Sequence, residues 1–411
     1  MQGQAKDHGE AAKAFRSGTH RLRPPQETLD AVMALAPEFG ITRVADMTGL
    51  DRTGIPVVMV CRPNSRSSAV FHGKGLDLAA AKASGVMEAI ETWHAENISA
   101  PLHFESLASL RRLAPTTDVE GLPRIPQSRF DPEAPLLWIC GRNLVDGEPA
   151  WTPFELVNAH STLDGPPTSG YFNGSTNGLA SGNHRLEATS HALCELIERD
   201  ATALWRQSPA AEQQRRRLRL PSVDDPGCRE ILARFAVADI EVGAWDVTSD
   251  VGAPAFQCFV IDRTGEIGHV GVGAGCHPCK EIALLRALTE AAQVRTTYIT
   301  GSREDIQRRD YDPAWLRSRN AAMRSLFRSG DEALDFASLP SFAFDTFEAE
   351  VAWLVARLAQ AGAGQVISVD LTRPEYEIPV IRVVVAGLEG FDHNPASYAP
   401  GPRALGLRRR A

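Results

Sequence analysis

No run of apolar residues in this 411-residue chain reaches the roughly 18 positions needed to cross a bilayer, so we expect no membrane-spanning segment. Residues 1–12 are polar and lack the apolar stretch of a secretory signal. The seven cysteines are odd in number and scattered, a pattern that favours reduced thiols over a disulfide framework. Together these absences predict a cytoplasmic protein.

Basic residues are also fewer than acidic residues: the chain has 43 lysines and arginines and 51 acidic residues, which gives a formal net charge of −8. Binding to nucleic acid requires a basic face that neutralises phosphates, so this balance argues against a nucleic-acid partner. The three arginines at 408–410 are too few to change that conclusion. Hydrophobic residues make up 43% of the chain and charged residues 23%, which is ordinary for a globular protein.

The order of predicted helices and strands indicates an α+β fold. The elements interleave without regular βαβ alternation, and neither a fixed-period repeat nor a clean linker divides the chain. We therefore expect one composite domain with mixed sheets over residues 13–403. A flexible N-terminus (1–12) and a flexible basic tail (404–411) are expected to flank it.

Long helices and glycine-rich segments follow one another along the chain. The long helices are predicted over about 76–97, 185–206 and 280–297. Two glycine-rich segments, 171–183 and 271–277, precede the second and third of these helices, and we interpret both segments as loops. The site residues discussed next all lie on these helices or just before them.

The first long helix follows Gly73-Lys74-Gly75 and carries Ser84, Glu88 and Glu91. Spacings of four and seven residues place these three side chains on one helical stripe. Apart from Lys82, the rest of the helix is alanine-rich and apolar, which indicates burial. The alternative is a solvated edge of an amphipathic helix, because glutamate is a good helix former.

The second long helix repeats this arrangement with Glu187, His191, Glu195 and Glu198 on one stripe. Two carboxylates about 4 Å apart repel by roughly 4 kcal/mol at an effective dielectric near 20. If the two stripes face each other, they require divalent cations. An all-oxygen ligand set of this kind suits Mg²⁺, which also keeps phosphate oxygens in its shell.

Several positions suit a phosphate group, although each has an ordinary structural alternative. Lys74 stands at a helix start, where N–H groups and an ammonium favour an anion, but Gly-Lys-Gly lacks the spacing of a P-loop. Asn183 either caps the second helix or contacts a ligand. Arg286 on the third helix either pairs with Glu290 or neutralises a transferring phosphoryl group.

The segment Cys276-His277-Pro278-Cys279 has the composition of a metal clip. A structural zinc site requires four ligands, and the sequence offers no second Cys/His pair at usable spacing. We therefore interpret the segment as a turn that ends at a helix start.

These residues resemble the signatures of the YcaO family. The first signature is Gly73-Lys74-Gly75 with Ser84, Glu88 and Glu91. The second is Asn177-Gly-Leu-Ala-Ser-Gly-Asn183 with Glu187, Glu195, Glu198, Arg199 and Asp200. The third is Gly275-Cys-His277 with Arg286, Glu290 and Arg295. The segment from Ser17 through Thr28 also resembles the family's N-terminal nucleotide-contacting segment, and the likeness extends from about residue 15 to residue 403.

The resemblance implies a fold particular to this family that binds ATP with Mg²⁺. It assigns the magnesium ions to Glu88, Glu91, Glu187, Glu195 and Glu198. Nucleotide contacts are expected from Arg21, Thr28, Lys74, Ser84, Asn183, Arg199 and Arg286, the lysine being added from its position alone. In this family ATP phosphorylates an amide oxygen after a nucleophile has attacked the carbonyl, and loss of phosphate gives an azoline, a thioamide or an amidine.

The end of the chain narrows the expected chemistry. Azoline-forming members usually end in alternating prolines, whereas this chain has only Pro400 and Pro402 in Tyr-Ala-Pro-Gly-Pro-Arg, an ending that resembles TfuA-associated, thioamide-forming members. Two prolines stiffen the segment, and we expect it to reach inward without a helix. The leading hypothesis is thioamide formation in a ribosomally made peptide or protein; the alternatives are an azoline-forming cyclodehydratase and a non-catalytic adaptor.

The expected partners follow from the same resemblance. The substrate is a peptide or protein, and because no fused peptide-clamp domain is recognised, we expect a TfuA-like or other delivery protein. We also expect a homodimer.

Overall fold

The computed structural model describes residues 11–265, 267–328, 334–390 and 399–408, and it confirms the predicted α+β fold. The helices are α1 (Pro25–Met33), α2 (Leu78–Glu96), α3 (Leu107–Leu110), α4 (Arg185–Gln207), α5 (Ala210–Arg215), α6 (Pro226–Val237), α7 (Lys280–Thr300), α8 (Pro313–Arg328), α9 (Phe347–Gln360) and α10 (Pro402–Arg408). The strands are β1 (Arg43–Asp46), β2 (Val57–Cys61), β3 (Val70–Lys74), β4 (Leu102–Ser106), β5 (Pro135–Asn143), β6 (Pro149–Pro153), β7 (Leu179–Ser181), β8 (Ile240–Asp246), β9 (Ala255–Asp262), β10 (Gly271–Cys276), β11 (Val366–Asp370) and β12 (Val380–Val385). The three long helices predicted from the sequence are α2, α4 and α7. None of the helices in the described ranges is long and apolar enough to cross a bilayer.

The first sheet has the order β1-β2-β3, with antiparallel neighbours, and α2 packs against it. Gly73 allows this packing, because a Cβ atom at that position would lie 1.9 Å from the carbonyl oxygen of Ala81. Asp77 caps α2 by accepting a hydrogen bond from the backbone N–H of Ala80 at 2.7 Å. The start of α2 is therefore fixed close to Lys74, the last residue of β3.

The second sheet has the order β10-β9-β8, and α7 packs closely on β10. The interpretation of residues 271–277 as a loop was wrong for 271–276, which form β10. Gly271, Gly273 and Gly275 point toward α7, where added Cβ atoms would lie 2.1–2.3 Å from backbone oxygens of the helix. These glycines therefore allow a strand to pack closely on a helix. After Cys276, the last residue of β10, residues 277–279 form the predicted turn into α7.

The third sheet has the order β4-β5-β11-β12-β7, and β6 pairs with β5. Helix α4 packs against β12 and β7, and it also contacts α9 and β10. Leu193 and Ile197 of α4 are fully buried in one core cluster with Val383 of β12. Helix α4 thus lies in the interior, where charged side chains on it require partners.

The ends of the chain differ from the sequence prediction where the structure describes them. Most of the predicted flexible N-terminus lies outside the described residues, and Ala12 forms an isolated bridge with Thr346. The expectation that the tail has no helix was wrong, because α10 spans Pro402–Arg408 and Ala404 is fully buried. A proline in the first turn is compatible with a helix, since its missing N–H would have no helical partner there. Residues 409–411 lie outside the described residues, and the domain boundaries stay a prediction.

Candidate active site

The carboxylates of α2 and α4 approach each other beside β7. Glu88 and Glu91 are half-buried on α2, Glu195 is half-buried on α4, and Glu198 of α4 is 9% exposed. Ser181, at the end of β7, donates to Oε2 of Glu91 from its backbone N–H at 2.9 Å and from its hydroxyl at 3.1 Å. Glu88 and Glu91 of α2 therefore lie near Glu195 of α4, and β7 contacts both helices.

Mutual proximity and burial disturb the ionisation of these carboxyl groups. Burial raises the pKa of Glu88 to about 7, and the charge of Glu195 adds to the rise. Burial raises the pKa of Glu91 well above its usual range, with contributions from Glu88 and Glu195. Burial also raises the pKa of Glu195, and that of Glu198 to about 7. A divalent cation would remove this penalty, because it stabilises the charged form of each group.

Nearby basic side chains do not neutralise the cluster by direct pairing. Arg199 approaches Glu195 at 3.9 Å within α4. Among the described residues, no lysine or arginine forms an ion pair with Glu88, Glu91 or Glu198. Across the described residues the four acidic groups thus share one long ion pair, so direct salt bridges do not balance their charge.

Lys74 and Arg286 approach the cluster from β3 and α7. Lys74 Nζ lies 4.0 Å from Glu290 Oε2, and Glu290 also accepts the backbone N–H of Ala274 at 3.0 Å. Arg286 donates to the carbonyl oxygen of Cys276 at 3.2 Å and contacts the ring of His191 on α4. The possible Arg286–Glu290 pair within α7 does not form, so the arginine is directed toward α4.

Glu187 has different surroundings from the other predicted metal ligands. Its Oε2 accepts the backbone N–H of Leu22 at 2.8 Å, and its Oε1 lies 3.8 Å from Nε of Arg21. Asn183 donates to the same Oε1 from its side chain at 3.2 Å and accepts the Thr28 hydroxyl at 2.9 Å. These contacts join the N-terminal segment to α4.

Asn183 and Ser84 are two predicted nucleotide contacts whose local positions the structure describes. The possible helix cap at Asn183 was wrong, because His184 is the N-cap of α4 and accepts the N–H of Leu186 at 3.1 Å. Ser84 is exposed one turn before Glu88, on the stripe that the spacing predicts. The side-chain oxygen of Asn183 accepts from Thr28 and its side-chain nitrogen donates to Glu187, so a ligand would have to use the remaining N–H or lone pair of that amide.

Arg382 is a site residue that the sequence reasoning missed. It lies on β12, is 2% exposed, and donates to the carbonyl oxygen of Ser175 at 2.7 Å. Its Nε and Nη1 atoms are buried without a hydrogen-bond partner among the described residues. Burial lowers the pKa of Arg382 to about 10, while Glu195 and Glu91 oppose that change. A lone arginine in a predicted strand gives no local signal, since its neighbours come from α2 and α4.

A second cluster behind the site, formed by His20, His277 and Glu350, has ligand atoms close enough to share a metal ion. However, Nδ1 of His277 accepts the backbone N–H of Cys279 at 2.9 Å, so the neutral ring carries its proton on Nε2, the atom that faces Glu350 at 3.7 Å. Glu350 is also paired with the buried ammonium of Lys13. The cluster is therefore explained by the buried Lys13–Glu350 ion pair with two neutral histidine rings beside it, and it needs no metal ion.

The comparisons with known proteins decide the family. The family model for the YcaO cyclodehydratase, described as ATP- and Mg²⁺-binding, matches residues 72–389. The chain belongs to the YcaO family. The matched range contains the four-carboxylate cluster, Lys74 and Arg286, and ATP and Mg²⁺ are accordingly its cofactors.

Relatives of similar length are found in bacteria and archaea. A protein in the tfuA 3′ region of Rhizobium leguminosarum bv. trifolii is 35% identical over 400 residues, covering 95% of this chain and 93% of the relative. A Methanothermobacter thermautotrophicus protein is 34% identical over 384 residues, covering 90% of this chain and 95% of the relative. Neither relative has an assigned function in its description.

Solved structures with the same fold include YcaO of Methanopyrus kandleri bound with AMPPCP and Mg²⁺. Its TM-score is 0.74 at 24% identity, with 95% of this chain and 98% of that chain covered. A heterocyclase in complex with substrate and cofactor gives a TM-score of 0.77 at 23% identity, covering 98% of this chain. This chain spans 57% of the heterocyclase's length. At these identities the likeness establishes the fold.

Proposed function

We propose that this YcaO protein uses ATP to phosphorylate a peptide backbone amide and thereby forms a thioamide. The observation that carries the proposal is the partly buried group of four carboxylates from α2 and α4, with raised pKa values and one long ion pair. A site of this composition holds hard cations, and such cations neutralise the phosphates of ATP.

The proposed roles of the side chains follow the family resemblance. The Mg²⁺ ligands are Glu88, Glu91, Glu195 and Glu198, with Glu187 as the further predicted ligand. The nucleotide contacts are Arg21, Thr28, Lys74, Ser84, Asn183, Arg199 and Arg286. Of the carboxylates, Glu187 accepts two backbone N–H groups and an amide N–H, so fewer of its lone pairs are open to a metal.

In the proposed reaction a sulfide adds to the amide carbonyl carbon. The resulting oxyanion takes the γ-phosphoryl group of ATP, and phosphate then leaves with the former amide oxygen. Amide, hydrosulfide and ATP give thioamide, ADP and hydrogen phosphate, which balances in atoms and charge. We assign the stabilisation of charge on the transferring group to Lys74 and Arg286, the positive side chains that approach the cluster from β3 and α7.

Thioamide formation is favoured over the other family reactions by one relative. The protein in the tfuA 3′ region covers nearly the whole chain, which supports a TfuA-type partner for this protein as well. An azoline-forming cyclodehydratase is the second candidate, supported by the family's description and by the heterocyclase with the same fold. The two reactions differ in the nucleophile, which is an external sulfide in the first and a substrate side chain in the second.

Mass spectrometry of a candidate substrate separates these reactions. We would incubate the chain, a TfuA-type protein, Mg·ATP and sulfide with a candidate substrate peptide. Exchange of oxygen for sulfur, with one phosphate released per exchange, is expected. Loss of water instead would establish the cyclodehydratase, and binding of the peptide without phosphate release would indicate an adaptor.

The matched control is Glu195→Gln, which keeps the size of the side chain and removes its charge. Phosphate release and the mass change should both disappear in this variant. If the wild-type protein fails to bind Mg·ATP under conditions in which it is folded, the proposal is overturned.

A further inference from the structure

The C-terminal helix α10 is fastened to α4 by a buried hydrogen-bond network. Arg403 donates from Nε to Oδ1 of Asp200 at 2.9 Å and from Nη2 to Oδ2 at 3.0 Å. Asp200 is fully buried, whereas Asp250, the second carboxylate that Arg403 contacts, has a side chain that is 66% exposed. The two-pronged pair with Asp200 is thus the one shielded from water, where removal of a partner is costly.

A second carboxylate completes the network. Glu389 is 2% exposed, and its backbone N–H donates to Oδ1 of Asp200 at 2.9 Å. Its side chain accepts the backbone N–H groups of Gly401 and Ala404, both at 2.8 Å. The buried carboxylates of Asp200 and Glu389 therefore hold the start of α10. Arg403 is the cation that links α10 to α4.

The network meets α4 directly behind the carboxylate cluster. Asp200 follows Glu198 and Arg199 in the helix, and at 3.6 residues per turn its side chain leaves the helix on the side away from Glu195 and Glu198. Without Arg403, the buried Asp200 would have to recruit water or move outward. Either change would shift the middle of α4, where Glu195 and Glu198 lie within about one and a half turns of Asp200.

We propose that Arg403 is a positioning residue for the carboxylate site, acting through Asp200. This inference rests on the proposed function, because it assumes that the cluster binds Mg·ATP. It assigns a role to α10 that differs from contact with the substrate. In this proposal α10 holds α4 in position.

Calorimetry of Mg·ATP binding tests the proposal with Arg403→Ala, Asp200→Asn and the double variant. We expect each single variant to weaken binding about tenfold, and the double variant to lose no more than either single one, because both act through one pair. The control is Arg219→Ala, which removes an ion pair with Asp335 whose side chains are about half exposed. That variant should bind Mg·ATP as the wild type does.

Wild-type affinity in Arg403→Ala, at a temperature where circular dichroism shows it folded, would overturn the proposal, and so would additive losses in the double variant. If Arg403→Ala does not fold, Arg403→Lys decides. One ammonium cannot hold both oxygens of Asp200, so a partial loss of affinity is expected, and unchanged affinity would leave Arg403 with a purely structural role. A wild-type protein that does not bind Mg·ATP would instead refute the proposed function.

Discussion

At the scale of single residues, the carboxylates of α4 differ in what they are able to bind. Glu187 is occupied by the N-terminal segment through Leu22 and Asn183. Glu195 has one ion-pair partner, at 3.9 Å, and Glu198 has none among the described residues. Their raised pKa values come from burial first, so a bound cation would stabilise the charged form of both groups.

Replacing Glu195 or Glu198 with Gln should abolish magnesium-dependent nucleotide binding and leave the fold intact. Each change removes one anionic oxygen ligand but preserves the shape of the side chain. Neither variant should melt at a lower temperature than the metal-free wild type, because a buried charge is lost. Calorimetry with Mg·ATP and thermal denaturation measure the two effects.

An exposed glutamate provides the control for these variants. Glu230→Gln on α6 breaks only the surface pair with Arg234 and should bind Mg·ATP normally. Wild-type affinity in both Glu195→Gln and Glu198→Gln would rule out the assignment of these residues to the metal.

At the scale of elements, the carboxylates on helices α2 and α4 make the stability of the metal-free fold depend on pH. The pKa values of Glu88 and Glu198 in the fold, about 7, lie above the ordinary value of 4.5, so the metal-free fold holds these protons more tightly than the unfolded chain. The stability that they contribute is present below about pH 4.5 and is lost as the pH rises through about 7. In the proposed site a magnesium ion would take the place of these protons.

We therefore expect Mg²⁺ to raise the melting temperature of the protein more at about pH 8 than at about pH 5.5. The comparison is made with and without millimolar Mg²⁺ at each pH, so that titration of other groups cancels. Glu198→Gln should show a smaller difference between the two pH values. A magnesium effect that is equal at both would contradict the assignment of the cluster.

The contact of β10 with α7 depends on glycines, and Gly273→Ala should destabilise the fold by about 1–3 kcal/mol or more. A Cβ atom there would lie 2.1 Å from the carbonyl oxygen of Ala287, and backbone cannot move aside as a flexible side chain can. Urea denaturation measures the free energy of unfolding. Gly364→Ala, where no atom lies within 4 Å of the added Cβ, should leave it nearly unchanged.

The same elements show how far sequence reasoning reaches. Helical spacing of Glu88 and Glu91 is local information, and it predicted correctly that their helix would present a carboxylate stripe. The glycines of β10 alternate with the period of a strand, yet we interpreted their abundance as a loop, because glycine is a poor strand former unless another backbone packs closely on it. Arg382 was missed for a similar reason, since its charged neighbours come from two distant helices.

At the scale of the whole molecule, the C-terminal helix α10 packs against α4. Deleting residues 406–411 removes the end of α10 but keeps Arg403 and Ala404, so the contacts with Asp200 and Glu389 remain. We expect this truncation to keep the wild-type melting temperature and Mg·ATP affinity. Exposed Leu405 and Leu407 show that the outer part of the helix adds little buried surface.

Deleting residues 398–411 should instead lower the melting temperature and cost most of the turnover. It leaves Asp200 without its cation and Glu389 without the N–H groups of Gly401 and Ala404, inside a part of the molecule that excludes water. Because Asp200 adjoins Glu198 and Arg199, we expect nucleotide binding to weaken together with turnover. If the 398–411 truncation loses turnover at unchanged Mg·ATP affinity, the deleted segment acts on the substrate. If it keeps full activity, α4 keeps its position without α10.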